Sequence, residues 1–188
     1  MDTRKFFQQH KDDVVRLWTE AVFATFPTET AGFLRASGDP FANPVAHMTR
    51  EAANTLFDAV AGENTEMDIV RAALDRFVKL RAVQESAPSR GLGIFFLMKP
   101  IFRERLVPAL SDDAALRAYL EAESRLDSLT LLAFDMYTDN REALARIRIK
   151  EMRDQCAQLR RWAQGRNFRP EGAAPADKET AALSPELG

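Results

Sequence analysis

Residues 112–164 read DDAALRAYLEAESRLDSLTLLAFDMYTDNREALARIRIKEMRDQCAQLRRWAQ, without a proline or a glycine. Ser111 precedes this stretch as the expected helix N-cap, and Ala114 and Leu116 begin the first turns. At a rise of about 1.5 Å per residue the helix spans roughly 80 Å, whereas a compact domain of this size is about 35–40 Å across. The stretch therefore predicts a helix longer than its own domain, which favours signalling or assembly over catalysis.

This long helix carries two different apolar patterns. As far as Tyr137 it has a broad apolar face, which is suited to packing on a globular core. Beyond Asn140 and Arg141 the pattern narrows to a heptad seam of the coiled-coil type. The seam residues, at spacings of 4, 3, 4, 3 and 4, are Ala145, Ile149, Met152, Cys156, Leu159 and Ala163. We predict a bundle over residues 1–140, a helical extension over 141–165 and a disordered, low-complexity tail over 166–188.

Apolar residues at three- and four-residue spacings predict four further helices upstream, at residues 3–26, 43–62, 66–85 and 88–106, with a short helical turn at 28–33. The fourth is apolar on nearly all sides between Leu92 and Met98, which is typical of a buried central helix. Gly91 and Gly93 allow a neighbouring helix to approach it closely, and Pro100 should kink it. Since no strand pattern occurs, the predicted fold class is all-α: a helical bundle with a long C-terminal helix.

Charge is distributed unevenly along the chain. The net charge of the 188 residues is −2, yet residues 141–169 hold nine basic and three acidic residues. A solvated arginine-rich helix face explains this block, but so does contact with an acidic protein, nucleic acid or anionic lipid. We favour a protein partner over nucleic acid, and an acidic tail, 171–186, that folds back to screen the block. The predicted partner-binding residues are Arg146, Arg153, Arg160 and Arg161.

Few residues suggest chemistry, so we expect no enzymatic activity, no metal and no cofactor. His10 lies on the apolar face of the first helix, where a packed core histidine is favoured over a ligand, and His47 should be exposed. There is no Glu-x-x-His pair and no glycine-rich phosphate loop. The single cysteine, Cys156, excludes an internal disulfide. Its place in the seam favours packing, although Arg153 and Arg160 beside it leave a redox-sensing role open.

A polar pair is out of place on the third predicted helix. Arg81 and Gln84 lie on or beside its apolar stripe, just before the residues that cap the next helix. They can form a structural cluster with Glu85 or Ser86, or they can sense a ligand. The rival to a ligand-free sensor binds haem or a lipid-like molecule between helices one, three and four. The candidate ligand-binding residues are His10, Phe77, Arg81, Gln84 and Phe95.

Two further expectations concern location and oligomeric state. The N-terminal residues contain no long apolar stretch, and the most apolar run, 94–98, is too short to cross a bilayer, so a soluble cytoplasmic protein is expected. The seam, together with exposed edges at Tyr137 and Leu144, predicts a homodimer that pairs helix one and the long helix.

Three parts of the sequence together resemble a known family. The first contains Leu17-Trp18, Thr25-Phe26-Pro27 and Phe33-Leu34. The second is DPFANPV at residues 39–45, and the third is RAVQESAPS at 81–89, which continues through GIFFLMK at 93–99. They resemble the RsbRD-type N-terminal domain, which is related to the sensor domains of RsbR-like stressosome proteins. The likeness covers roughly residues 5–137.

The resemblance implies a non-haem, globin-like sensor domain that dimerises and acts as a signalling adaptor. In stressosome proteins such domains form turrets and pass an input through a linker helix to a STAS domain. We expect this chain to depart from them, with no STAS domain after the long helix. Stand-alone relatives occur near sulfite-reduction genes, so an accessory role in sulfur respiration is the alternative that the resemblance implies.

Overall fold

The computed structural model describes residues 3–36, 41–63, 66–84 and 87–166, with side chains described up to Gln164. None of these residues forms a strand, so the all-α class and the long C-terminal helix are confirmed. The helices are α1 (Thr3–Phe23), α2 (Thr28–Ala36), α3 (Pro44–Ala61), α4 (Met67–Gln84), α5 (Pro88–Phe96), α6 (Met98–Leu106) and α7 (Asp113–Arg166), with a 3-10 turn at Val107–Ala109 before α7.

The first helix is shorter than its apolar pattern predicts. It ends at Phe23, because Pro27 disfavours helical backbone at the residue before it. The Thr25 and Phe26 amides instead donate to carbonyls three residues back, at 3.0 and 3.1 Å. This tight turn leads directly into α2, which is longer than the single turn predicted there.

The ends of α3 follow the predicted cap residues. The Asn43 side chain accepts a hydrogen bond from the Ala46 amide at 3.1 Å, and Pro44 occupies the first turn, where its missing amide proton costs nothing. At the other end Gly62 has a φ of 78°, in the left-handed region that favours glycine. Both signals are local in sequence, which is why the bounds were predictable.

Pro100 does not kink the helix at its own position, as predicted, but breaks it upstream. A proline ring clashes with the carbonyl four residues back, here that of Phe96. The helix accordingly breaks at Leu97 and divides into α5 and α6. The buried Ile94 carbonyl beside this break accepts the indole N–H of buried Trp18 at 2.8 Å. The predicted all-round burial is wrong for Phe96, which is 53 % exposed.

The N-cap of α7 is one residue later than predicted. The side chain of Asp112, rather than that of Ser111, accepts a hydrogen bond from the Ala115 amide, at 2.8 Å. That hydrogen bond holds the pKa of the Asp112 carboxyl below its usual value. Aspartate adds a favourable interaction with the helix dipole to the capping bond, which serine does not.

A core of aromatic and aliphatic side chains joins α1, α3, α4, α5, α6 and the first part of α7. Trp18 lies at its centre, with ring centroids 5.8 Å from Phe77 and 6.2 Å from Phe95. Leu126 and Tyr137 of α7 are fully buried. The prediction that Tyr137 is an exposed edge is therefore wrong, and Leu144 is partly buried.

The burial of Tyr137 depends on Gly91. A Cβ atom built on Gly91 would lie 2.5 Å from Cε2 of Tyr137, so only glycine fits between α5 and α7 at this point. The predicted close approach is confirmed at Gly91. At Gly93 it is wrong, since a Cβ there would meet nothing within 4 Å.

The pattern of contacts divides the chain between Leu144 and Ala145. The unit that ends at Leu144 contains the whole core. In the second unit every described side chain, from Ala145 to Gln164, is exposed. The boundary predicted at residues 140/141 lies one helical turn earlier. Residues 167–188, which include the predicted acidic tail, lie outside the described part of the chain.

Candidate functional site

A half-open pocket of about 520 Å³ lies where α1, α2, α3 and α4 meet. Its walls come from residues 25–27, from Thr30 and residues 33–34, from residues 43–45, and from Arg81 with Gln84. These residues are far apart in sequence. Each of the three parts that carry the family resemblance contributes to the pocket, because the turn at Pro27 and the cap at Asn43 bring them together.

Arg81 forms the deep end of this pocket. It is 2 % exposed, and its guanidinium lies over the Phe26 ring, with Cζ 5.3 Å from the ring centroid. Nη1 donates to the Gln84 side-chain oxygen at 3.4 Å, and Nη2 donates to the Arg90 carbonyl at 3.5 Å. Hydrogen bonds of this length are weak.

Asn43 forms another wall of the pocket. Its Nδ2 donates to the carbonyls of Phe33 and Leu34 at 3.1 and 3.2 Å, while its Oδ1 caps α3. This buried side chain thereby joins the end of α2 to the start of α3. The joint holds the Phe33 ring, which is 56 % exposed, at the rim.

The five predicted ligand-binding residues are not all brought together. Arg81 and Gln84 line the pocket. Phe77 and Phe95 instead pack against each other and Trp18 in the core, with their ring centroids 6.1 Å apart. His10 is partly exposed and packs edge-on against Phe6, with ring centroids 5.5 Å apart. Glu85 and Ser86, the polar partners considered for Arg81, lie outside the described residues.

Sequence reasoning did not predict Phe26, Phe33 and Asn43 as site residues. All three lie in the parts of the sequence that carry the family resemblance, which was the available signal. This signal was not interpreted as a site, because a proline turn and an asparagine cap are already explained by their roles at helix ends.

One hydrogen bond connects the neighbourhood of the pocket to α7. Nη1 of Arg141 donates to the carbonyl of Ala82, the residue that follows Arg81, at 3.0 Å. Arg141 lies in the last helical turn before the unit boundary at Leu144. The end of α4 that carries Arg81 is therefore in direct contact with α7.

The second unit presents a separate candidate surface, the extension seam, which comprises residues 145–164. Ile149, Met152 and Leu159 are 44 %, 56 % and 64 % exposed, and Cys156 is exposed as well. Arg153, Arg160 and Arg161 lie beside these side chains, and the Arg161 Nε also donates to the Ala157 carbonyl at 3.3 Å. Arg146 is exposed on the same helix.

The heptad positions of the arginines show what this seam can pair with. If Ala145, Met152 and Leu159 are the d positions, the e positions are Arg146, Arg153 and Arg160, and Arg148 is a g position. In a parallel pair of copies Arg148 would face Arg153 of the second copy. In an antiparallel pair the e-position arginines would face each other. Both self-pairings place like charges together, which disfavours them.

The described residues contain no group of His, Cys, Asp and Glu side chains that could hold a metal ion. Among them there is also no helix long and apolar enough to cross a membrane. The geometry thus defines an all-α protein with a buried arginine in a side pocket and an exposed arginine-flanked seam.

Comparison with known proteins identifies the family. The chain belongs to the family described as the RsbT co-antagonist protein rsbRD N-terminal domain, whose model matches residues 12–152. The resemblance stated from the sequence is thereby confirmed, and the family suggests a stressosome-related sensor domain. No curated protein and no solved structure matches the chain. The match ends within the extension, so Arg153, Arg160 and Arg161 lie beyond it.

Proposed function

We propose that this protein is a cytoplasmic, non-enzymatic sensor adaptor that relays the state of its bundle along α7 to a protein partner. The observation that carries the proposal is the exposed apolar seam on the same helix whose first part is buried in the bundle. Leaving Ile149, Met152 and Leu159 in water forgoes roughly 25 cal/mol for each Å² of apolar area. A partner helix would recover that free energy.

The partner that fits the seam is an amphipathic helix with acidic side chains beside its own apolar seam. Arginines at the e positions are matched by glutamates on the facing helix, in either orientation. Because the seam is under three heptads long, charge complementarity has to supply much of the specificity. Cys156, at an a position, then packs inside the interface rather than acting as a redox sensor.

We also propose a homodimer, formed by the bundle rather than by the seam. Four large apolar side chains of α7 are exposed on the first unit: Leu116, Leu120, Leu131 and Phe134. Spacings of 4, 11 and 3 residues, each close to a whole number of helical turns, place them along one side of the helix. A twofold pairing of this bundle stripe buries them without bringing the seam arginines together.

The partner proposal is tested with two synthetic helical peptides that share one apolar heptad seam. One carries glutamate and the other lysine at the e and g positions. The full chain should bind the glutamate peptide at least tenfold more tightly in fluorescence anisotropy, and this preference should decrease at high salt. The double variant Arg153→Glu/Arg160→Glu should reverse the preference.

Arg117→Glu is the matched control, since Arg117 is an exposed arginine of α7 in the first unit. It should leave both affinities unchanged. If the two peptides bind equally well, or if Arg117→Glu has the same effect as the seam reversal, the contact is non-specific and the proposed output surface is wrong.

A further inference from the structure

We propose that a groove between α1 and α3 binds an elongated zwitterion, a molecule with a carboxylate at one end and an ammonium group at the other. The groove is half open and holds about 400 Å³, within the ordinary range of small-molecule sites. One stripe of α1 forms most of its wall, and Arg50 and Asn54 of α3 complete it. The groove shares no residue with the Arg81 pocket or the extension seam, so this proposal goes beyond the relay and does not depend on it.

The antiparallel packing of α1 and α3 sets the order of side chains along the groove. Lys11, in the first half of α1, donates to Asp58 near the end of α3 at 2.6 Å. The Arg50 guanidinium, in the first half of α3, lies over the Phe23 ring at the end of α1, with Cζ 5.7 Å from the ring centroid. Asp12 and Arg50 therefore lie toward opposite ends of the groove, and a ligand that reaches both must be extended.

One charge of each sign remains in the groove once the ion pairs are counted. Arg16 and Glu20 each form an ion pair with a residue outside the groove. Asp12 and Arg50 form no ion pair within the part of the chain that the structure describes. A zwitterion supplies the complementary charge at both ends. Because a single exposed ion pair contributes little, tight binding requires both ends to be engaged.

A buried hydroxyl is the second, independent sign of a ligand. Thr19 lines the groove and is 5 % exposed, and its Oγ1 has no hydrogen-bond partner among the described residues. The other two buried threonines of the described chain, Thr49 and Thr130, each donate to the carbonyl four residues back, at 2.8 and 2.7 Å. An unpaired buried hydroxyl is destabilising, and a bound acceptor would remove that cost.

The side chains at the two ends fix the orientation of the ligand. A guanidinium presents paired N–H groups that match the two oxygens of a carboxylate. The carboxylate therefore belongs at Arg50, beside the part of α1 that carries Thr19, where the hydroxyl can donate to it. The ammonium group belongs at Asp12. Val15 is half-buried between the two ends and offers apolar surface to a chain of methylene groups.

The probe is 6-aminohexanoate, whose carboxylate and ammonium group are separated by methylene groups. In two-dimensional 15N–1H NMR of the full chain it should shift the amide signals of Val15, Thr19 and Asn54 in a saturable way. Hexanoate keeps only the carboxylate, hexylamine keeps only the ammonium group, and glycine keeps both charges but is too short. Each should bind roughly fivefold more weakly or worse. If any of the three binds as tightly as 6-aminohexanoate, or if the shifts lie outside the groove, the proposed site is wrong.

Two charge-removing variants test the ends of the groove separately. Arg50→Gln should lower the affinity for 6-aminohexanoate to that of hexylamine, and Asp12→Asn should lower it to that of hexanoate. Neither position is fully buried, so both variants should keep the fold measured by circular dichroism. The matched controls, Arg71→Gln and Asp68→Asn, remove exposed charges on α4 and should leave the affinity unchanged. Unchanged affinity in the two groove variants, or equal losses in the controls, overturns the site.

Thr19→Val tests the carboxylate end without removing a charge. Valine keeps the shape of threonine but lacks the hydroxyl, so the variant should weaken binding of 6-aminohexanoate and hexanoate alike and leave hexylamine binding unchanged. A purely structural role of Thr19 would not separate the anionic from the cationic probe. Equal effects on hexanoate and hexylamine, or no effect on either, would contradict the proposed orientation.

Discussion

The two parts of α7 are built from similar side chains but use them differently. Leu126, in the first unit, is fully buried, whereas Leu159, in the second, is 64 % exposed. In the first part the chain itself supplies the surfaces that cover the apolar face. In the second part every described side chain from residue 145 to residue 164 is exposed. The contrast shows that one helix carries both a face buried in the core and an apolar seam that is exposed in the described chain.

Identical substitutions in the two parts should have very different effects on folding. Leu126→Ala removes buried carbon atoms and leaves a cavity, so we expect the free energy of unfolding to fall by about 2–5 kcal/mol. Leu159→Ala changes an exposed position and should stay within about 0.5 kcal/mol. Urea unfolding followed by circular dichroism measures both. Equal losses for the two variants would mean that the extension also contributes to the folded core.

A second pair of substitutions examines how the first part of α7 is held against α5. Gly91→Ala pushes a methyl group into the Tyr137 ring and should destabilise the protein by about 1–3 kcal/mol, as overpacking does. Gly93→Ala enters open space within the same helix and should stabilise it by up to about 1 kcal/mol, because alanine is the better helix former. Thermal unfolding of the two variants shows whether each substitution raises or lowers the stability of the protein. A stable Gly91→Ala protein would show that Tyr137 can move away.

The ends of α3 were predictable from sequence, because their signals act over a few residues. Asn43 and Gly62 mark the ends of α3 through a capping bond and a left-handed backbone, both of which depend on neighbours in the chain. The break at Leu97 also has a local cause, because the Pro100 ring clashes with the carbonyl four residues upstream. The family resemblance, confirmed over residues 12–152, rested on such local signals as well.

Contacts between segments that are distant in the chain could not be predicted from the sequence. The sequence pattern places Tyr137 at the edge of an apolar face. Its ring is buried because Gly91 on α5 leaves space for it. The pocket likewise depends on how the end of α4 meets the turn after α1. Phe77 and Phe95 fit an apolar pattern equally well in a core or beside a ligand, so periodicity alone could not separate them from Arg81.

The two parts of α7 should also differ in how they contribute to association between copies of the chain. Leu131 is 69 % exposed on the bundle stripe, and Leu159 is the matching leucine on the seam. If the homodimer forms through the bundle stripe, Leu131→Ala should cost about 1–2 kcal/mol per copy and weaken dimerisation roughly tenfold or more. Leu159→Ala should leave the dimer unchanged, because arginines beside the seam oppose self-pairing. Light scattering across a dilution series measures both. Loss of the dimer in Leu159→Ala alone would place self-association on the seam, and a monomer at tens of micromolar for the unmodified chain would contradict the dimer itself.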